Sequence, residues 1–215
     1  MRYHGILFDM DGTVLDTLTD LHNAVNRSLE TFGYPPVSRD KARASLGNGA
    51  EHLLRSCLPP VPEEELRRVL AWYVPWYEQH CRIDTGPYPG ILPMMARLRA
   101  AGAKLAIISN KGDAAVQELA ESFFPGLLET AVGESAEVRR KPDPDAVLAA
   151  AARMGLPTED CVYVGDTEVD LATARNAGMA CILVSWGFRD RAQLRALGDV
   201  PLVDSTAALE ALLLA

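Results

Sequence analysis

The chain has 215 residues, of which 48% are apolar, and a formal charge of −8. That length can bury a real core and carry one large domain, or a core with a smaller insert. No basic tract offers a footprint for nucleic acid, and no apolar run approaches the ~20 residues that span a bilayer, so neither partner is expected.

The first expected element is a strand at Gly5–Phe8. It begins without the charged start and long apolar stretch of a signal peptide. Asp16–Thr19 reads as an outgoing linker. Leu18, Leu21, Val25, Leu29 and Phe32 then recur at three- and four-residue spacing, the pattern of an amphipathic helix. Ser38 can cap a second helix, which Gly47-Asn48-Gly49 interrupts. Pro62 and Glu63-Glu64-Glu65 suit the first turn of a third helix, running toward His80 with a bend at Pro75. No strand signal interrupts this stretch, and Asp84–Gly90 reads as a turn-rich return linker.

From Ile91 the texture changes to short apolar runs alternating with amphipathic helices, the mark of a parallel sheet with crossover helices. Strands are expected at Lys104–Ile108, Glu129–Val132, Cys161–Val164 and Cys181–Val184. Helices are expected at Pro93–Ala101, Asp113–Ser122, Asp143–Met154 and Glu168–Ala177, with Gly102, Gly155 and Gly178 where they should stop. The fold class is thus α/β, a Rossmann-like parallel-sheet core (residues 1–15 and 86–215) with an inserted all-α cap (residues 16–85). Cys57, Cys81, Cys161 and Cys181 are widely spaced and form no C-x-x-C pair, so reduced thiols in the cytoplasm are expected.

Polar clusters follow three of these strands: Asp9-Met10-Asp11-Gly12-Thr13, Ser109-Asn110, and Gly165-Asp166 with Asp170 four residues on. In an open parallel sheet the carboxyl ends of the strands form the ligand crevice. The clusters therefore converge, and Lys141-Pro142-Asp143-Pro144 brings a lysine just before a helix start. Asp9, Asp11, Asp166 and Asp170 would repel one another unless a cation bound them. An all-oxygen set with few protein ligands suits Mg²⁺. Ser109, Asn110, Lys141 and the loop amides near Gly12 are the donors a phosphoryl group requires. A carboxylate is also an established covalent nucleophile toward phosphorus.

These four clusters, in this order, resemble the signature motifs of the haloacid dehalogenase superfamily. Asp9–Thr13 resembles its D-x-D-G-T, Ser109 the second motif, Lys141 the third and Gly165–Asp170 the G-D-x-x-x-D of the fourth. The helical insert resembles the family's α-helical cap. The resemblance implies Asp9 as nucleophile and metal ligand. It implies Asp11 as general acid and then base, with its backbone carbonyl on Mg²⁺. Asp166 would be a further ligand and Asp170 would act through a water or a hydrogen bond. Ser109, with Asn110 beside it, would hold a phosphoryl oxygen, and Lys141 would neutralise the nucleophile and the phosphate. The second carboxylate of the first motif favours phosphoryl transfer over dehalogenation.

Leu46–Ala50 and Val184–Phe188 resemble stretches of the bacterial phosphoglycolate phosphatases, implying 2-phosphoglycolate as the small phosphorylated partner. Related pyrophosphatases and sugar-phosphate phosphatases or mutases share much of the pattern. A non-catalytic binding module is disfavoured because every chemical position holds a competent residue. A monomer or homodimer is expected.

Selectivity would fall to the cap, where Gly47, Asn48 and Gly49 open a helix start and Arg43 lies one turn earlier. Arg43 as a solvated helix residue, and the glycines as a plain turn, carry equal weight. Trp72 with Trp76 and Tyr73 with Tyr77 read as cap packing rather than pocket lining.

Overall fold

In the computed structural model, which describes residues 2–215, the strand after the N-terminus is β1 (Gly5–Phe8). It lies at the centre of a six-stranded parallel sheet with β4 (Lys104–Gly112), β5 (Thr130–Glu134), β6 (Cys161–Gly165), β7 (Ala180–Val184) and β8 (Leu202–Val203). The order is β5-β4-β1-β6-β7-β8. Phe8 pairs with Ile107 on one side and Val164 on the other. Asp9 and Asp166, just past β1 and β6, are thereby brought to the same sheet edge as Ser109, which lies inside β4 because that strand runs four residues beyond the expected end at Ile108. All four β1 residues are buried, as a central strand covered on both faces requires. Ile6 and Phe8 pack into one core with Met94, Met95 and Leu98, while Leu7 packs into the other with Val147 and Ala150.

The crossover helices α5 (Ile91–Ala100), α6 (Asp113–Phe123), α7 (Asp145–Met154) and α8 (Glu168–Asn176) fall within two residues of the expected bounds. α5 starts two residues early, and an equal offset in the other direction is at the start of α7. Pro144 stands at its N-cap and Asp143 accepts the amide of Asp145, so the helix begins two residues later than its amphipathic pattern. The short α9 (Arg191–Arg195) and the C-terminal α10 (Thr206–Leu214) complete the core.

Between β1 and α5 lie four helices: α1 (Leu18–Thr31), α2 (Arg39–Ala44), α3 (Gly49–Cys57) and α4 (Glu63–His80). Ser38 caps α2 through the Lys41 amide at 3.2 Å, and α4 continues through Pro75. The two linkers differ from expectation. Instead of separate turns they pair as a short antiparallel ribbon, β2 (Leu15–Asp16) with β3 (Gly86–Pro87). The buried Asp20 carboxylate fastens the return by accepting the amides of Asp84 and Thr85 at 2.9–3.0 Å. The four thiols are free, three of them buried. No helix among the described residues is long and apolar enough to cross a membrane.

Candidate active site

Asp9 emerges from β1 at the floor of a cavity of about 280 Å³ that runs up between the sheet edge and the helical insert. Its Oδ1 accepts the Met10 amide at 2.8 Å and pairs with the Lys141 ammonium at 2.8 Å. Lys141 Nζ also reaches Asp170 Oδ1 at 2.7 Å and the Tyr163 hydroxyl at 3.0 Å. Burial works against the charge of Lys141, but Asp170 and Asp9 outweigh it and hold its pKa above the usual lysine range. Burial pushes the Asp9 carboxyl well above the ordinary carboxylate range, against the pull of Lys141 and with the help of Asp170 and Asp166.

Asp166 follows β6. Its Oδ1 accepts Thr13 Oγ1 at 3.0 Å and its Oδ2 accepts the Phe188 amide at 2.6 Å. Burial, and then repulsion from Asp170, push Asp166 up to about 7 despite these donors. Asp170 Oδ2 accepts the amides of Asp166 and Thr167 and the Thr167 hydroxyl, closing a capping box at the start of α8. Its structural role and its place in the site therefore coexist.

One carboxylate oxygen each from Asp9, Asp166 and Asp170 lie within 4.8 Å of one another. Asp11 stands apart from that trio. Its Oδ2 faces Ser109 Oγ at 3.5 Å, and its Oδ1 lies 3.0 Å from Lys111 Nζ but outside hydrogen-bonding alignment, so it is a buried oxygen without a hydrogen bond. Four carboxylates thus meet two ammonium groups, and two negative charges remain uncompensated when all are ionised. A divalent cation fits this oxygen-only donor set, and magnesium suits it better than thiol- or imidazole-seeking metals.

Two glycines allow the loops to close on Asp166. Gly12 has φ +83°, and a Cβ there would meet the Asp166 carboxylate closer than 3.0 Å. A Cβ on Gly187 would meet both Asp166 and the Gly12 carbonyl closer than 3.0 Å. Trp186 locks the same contact by donating Nε1 to the Thr13 carbonyl at 3.0 Å. Gly187→Ala is accordingly expected to cost about 1–3 kcal/mol through overpacking. An unchanged melting temperature would contradict the close packing.

Residues 6–184 match the family model for haloacid dehalogenase-like hydrolases. The chain belongs to that family. Among curated relatives, this hydrolase is 33% identical over 191 residues to phosphoglycolate phosphatase 1 of Pseudomonas aeruginosa, covering 85% of this chain and 70% of the relative. It is 35% identical over 190 residues to the phosphoglycolate phosphatase of Cereibacter sphaeroides, covering 86% of each. A crystal structure from Lactobacillus delbrueckii subsp. bulgaricus, provisionally assigned as a phosphoglycolate phosphatase, superposes with a TM-score of 0.93 at 38% identity, covering 99% of both chains. The hydrolase is an enzyme of this phosphatase type.

Several expected binding groups are otherwise engaged in the hydrolase. The Gly12 amide already donates to the Leu15 carbonyl at 2.9 Å, so it is not free for a phosphate. Asn110 spends its amide on the Gly47 carbonyl (3.0 Å), the Lys141 carbonyl (2.9 Å) and the Lys141 amide (2.7 Å). It braces Lys141 and the insert rather than presenting a free donor. Arg43 turns to the Gly187 carbonyl (2.9 Å) and Asp190 (3.3 Å) and is not among the cavity-lining residues. Gly47 and Gly49 do line the cavity, whereas Asn48 borders a neighbouring groove with His52 and Arg140.

Lys111 and Arg189 escaped the sequence reading, and Tyr73 and Tyr77, expected to pack within the cap, line the cavity instead. Lys111 is buried, reaches the Tyr77 hydroxyl and lies 4.3 Å from the Tyr77 ring centroid. Tyr77 stacks on Tyr73 with centroids 5.8 Å apart, and both line the cavity. The tyrosine pair therefore faces the site, while Trp72 and Trp76 stack on each other outside the cavity lining. Arg189, held by Glu168 at 2.8 Å, donates to the Leu46 carbonyl at 3.0 Å. The only local signals were the alternation that puts Ser109 and Lys111 on one side of β4 and the four-residue spacing of the tyrosines.

Proposed function

We propose that this hydrolase is a magnesium-dependent phosphomonoesterase that works through an aspartyl-phosphate on Asp9, with 2-phosphoglycolate as substrate and the cytoplasm as its setting. The observation that carries the reading is Asp9 itself, a buried carboxylate at the floor of the cavity with Lys141 at 2.8 Å. Its neighbouring partners, the Met10 amide and Lys141, both sit on Oδ1.

In this reading an Asp9 oxygen attacks phosphorus and the ester P–O bond breaks. Asp11 gives its proton to the departing alkoxide. Asp11 then takes a proton from a water that attacks the aspartyl-phosphate, releasing inorganic phosphate and restoring Asp9. Ser109 holds a phosphoryl oxygen, and Lys141 draws charge from the phosphate and the nucleophile. Asp9, Asp166 and the Asp11 backbone carbonyl would hold Mg²⁺, with Asp170 supporting through its bond to Lys141. When bound, the ion supplies charge neutralisation at the phosphoryl oxygens. Residues 16–85 act as a cap whose inner face excludes water from the reacting groups. The names of the relatives support phosphoglycolate as the substrate.

The test is a comparison of kcat/KM for phosphoglycolate, pyrophosphate, nucleotides and sugar phosphates with Mg²⁺, and again after exhaustive chelation. Phosphoglycolate is expected to lead and chelation to abolish turnover. A clear lead for pyrophosphate or a sugar phosphate would reject the substrate, and full turnover without metal would reject the mechanism.

Metal binding should also be visible in stability. With Asp166 raised to about 7 from 3.8, the native state holds a proton that the unfolded chain has released. The contribution of this group therefore falls as pH rises from roughly 4 to 7. Magnesium replaces the proton, so the rise in melting temperature on adding Mg²⁺ should be larger near pH 7.5 than near pH 5. A rise independent of pH would place the ion elsewhere.

A further inference from the structure

We propose that Lys111 receives a second anionic group of the substrate, the carboxylate in the case of phosphoglycolate, and so sets the specificity of the cavity. The inference rests on the phosphatase reading above and names the residue that discriminates among phosphate esters.

The lining of the cavity is mostly apolar or acidic. Leu21, Leu46, Leu53, Leu70, Val74 and Phe188 form much of its wall, and Glu51, Glu78 and Glu134 add negative charge. Its cations among the described residues are Lys141 and Lys111. Lys141 is committed between Asp9 and Asp170. A dianionic phosphate that carries a further negative group therefore meets one remaining cation. Arg43, the sequence candidate for that task, is bonded to the Gly187 carbonyl instead.

The bonding of Lys111 leaves it able to act. An ammonium has three donors. One goes to the Tyr77 hydroxyl, and the Asp11 oxygen 3.0 Å away is out of hydrogen-bonding alignment. Position favours the same role. The Lys111 amide donates to Ser109 Oγ at 3.2 Å, and Asp11 has Ser109 Oγ on one oxygen and Lys111 Nζ on the other. The ammonium thus flanks the same carboxylate as the hydroxyl assigned to the phosphoryl group, and both line one cavity. A small ester with a second anionic group, such as phosphoglycolate, can address both.

Tyr77 fixes the lysine from the side of α4. Its ring lies against Nζ, its hydroxyl accepts from it, and Tyr73 stacks behind. Burial keeps the Tyr77 phenol neutral by pushing its pKa up, so it orients the ammonium without neutralising it.

The experiment compares kcat/KM for phosphoglycolate and for 2-hydroxyethyl phosphate, which replaces the carboxylate by a hydroxymethyl group. Wild type, Lys111→Met and Lys111→Arg are measured, with circular dichroism to confirm folding. Wild type is expected to prefer phosphoglycolate. Lys111→Met should slow both substrates, because Asp11 loses its neighbour, but should also cut the preference at least ~10-fold, equivalent to about 1.4 kcal/mol. Lys111→Arg, which keeps the charge, should recover most of it. If Lys111→Met does not fold, Tyr77→Phe serves in its place, since it frees the ammonium and should raise KM for phosphoglycolate more than for the neutral ester. A preference that survives Lys111→Met, or is unmoved by Tyr77→Phe where that variant is the one measured, overturns the inference and leaves Lys111 as a counter-ion of Asp11. A wild type without preference overturns the phosphoglycolate reading as well, so the two failures are told apart by the enzyme that shows them.

Discussion

Asp9→Asn is expected to abolish phosphate release, by on the order of 10⁴–10⁶-fold, the scale on which losing a covalent nucleophile acts. The amide keeps the shape of the carboxylate but cannot form the acyl-phosphate. Every later step of the proposed cycle needs that bond. Stability should move little, since two contributions oppose each other. The substitution removes a buried carboxylate that Asp166 and Asp170 repel, and it also removes the ion pair with Lys141. Lys141 keeps Asp170 at 2.7 Å, so its ammonium is not left alone. Measuring phosphate release together with thermal melting separates the two effects. A folded variant with near-native turnover would eliminate the covalent mechanism. Acid-quenched wild type should in turn yield phosphorylated protein from labelled substrate, and Asp9→Asn none.

Lys141→Met should fail in a different way, losing both activity and stability. The methionine retains the apolar stem but takes away the one ammonium shared by Asp9 and Asp170, whose side chains are 8% and 0% exposed. Breaking a buried ion pair by removing one partner typically costs about 3–5 kcal/mol. For a chain of this size each kcal/mol is worth ~2–4 °C, which puts the fall in melting temperature at roughly 10 °C. Protonation can soften the loss by neutralising the stranded carboxylates, so the deficit should shrink at low pH. A variant that melts with wild type at neutral pH would show that Asp9 and Asp170 do not depend on the lysine. The contrast with Asp9→Asn matters, because a general collapse of the site would affect both variants alike.

The parallel core was legible because each strand and crossover helix announces itself locally. Leu105 to Ile108 and Cys161 to Val164 are unbroken apolar runs, and Leu18 to Phe32 carries its helical period within one segment. Other elements lack such a signal. Two residues are too few for β8 to show an alternation. α10 is apolar on nearly every side, so its period says nothing about which face is inward. The ribbon of Leu15–Asp16 with Gly86–Pro87 is a pairing between distant segments, visible in neither alone.

The site divides along the same line. Asp9, Asp11 and Asp166 lie just past the ends of β1 and β6, and Ser109 lies in the last half of β4, which runs on to Gly112 instead of stopping at Ile108; they share one edge because the carboxyl ends of parallel strands do. Asp170 was legible beside Asp166 as part of the cluster after β6, Lys141 stood mainly on the motif resemblance, and their mutual contact became visible only with α7 and α8 in place. What each polar group binds depended on partners far along the chain. Arg43 meets Gly187 across 144 positions, Asn110 meets Gly47 across 63, and Lys111 meets Tyr77 across 34. The sequence by itself thus determined the parallel core, the helical insert and the set of carboxylates at the sheet edge, because periodicity and the strand-end rule are local. Only the tertiary structure decided which donors are already satisfied and which cation stays available to a ligand, because a hydrogen bond is spent on whichever partner the packing brings within reach.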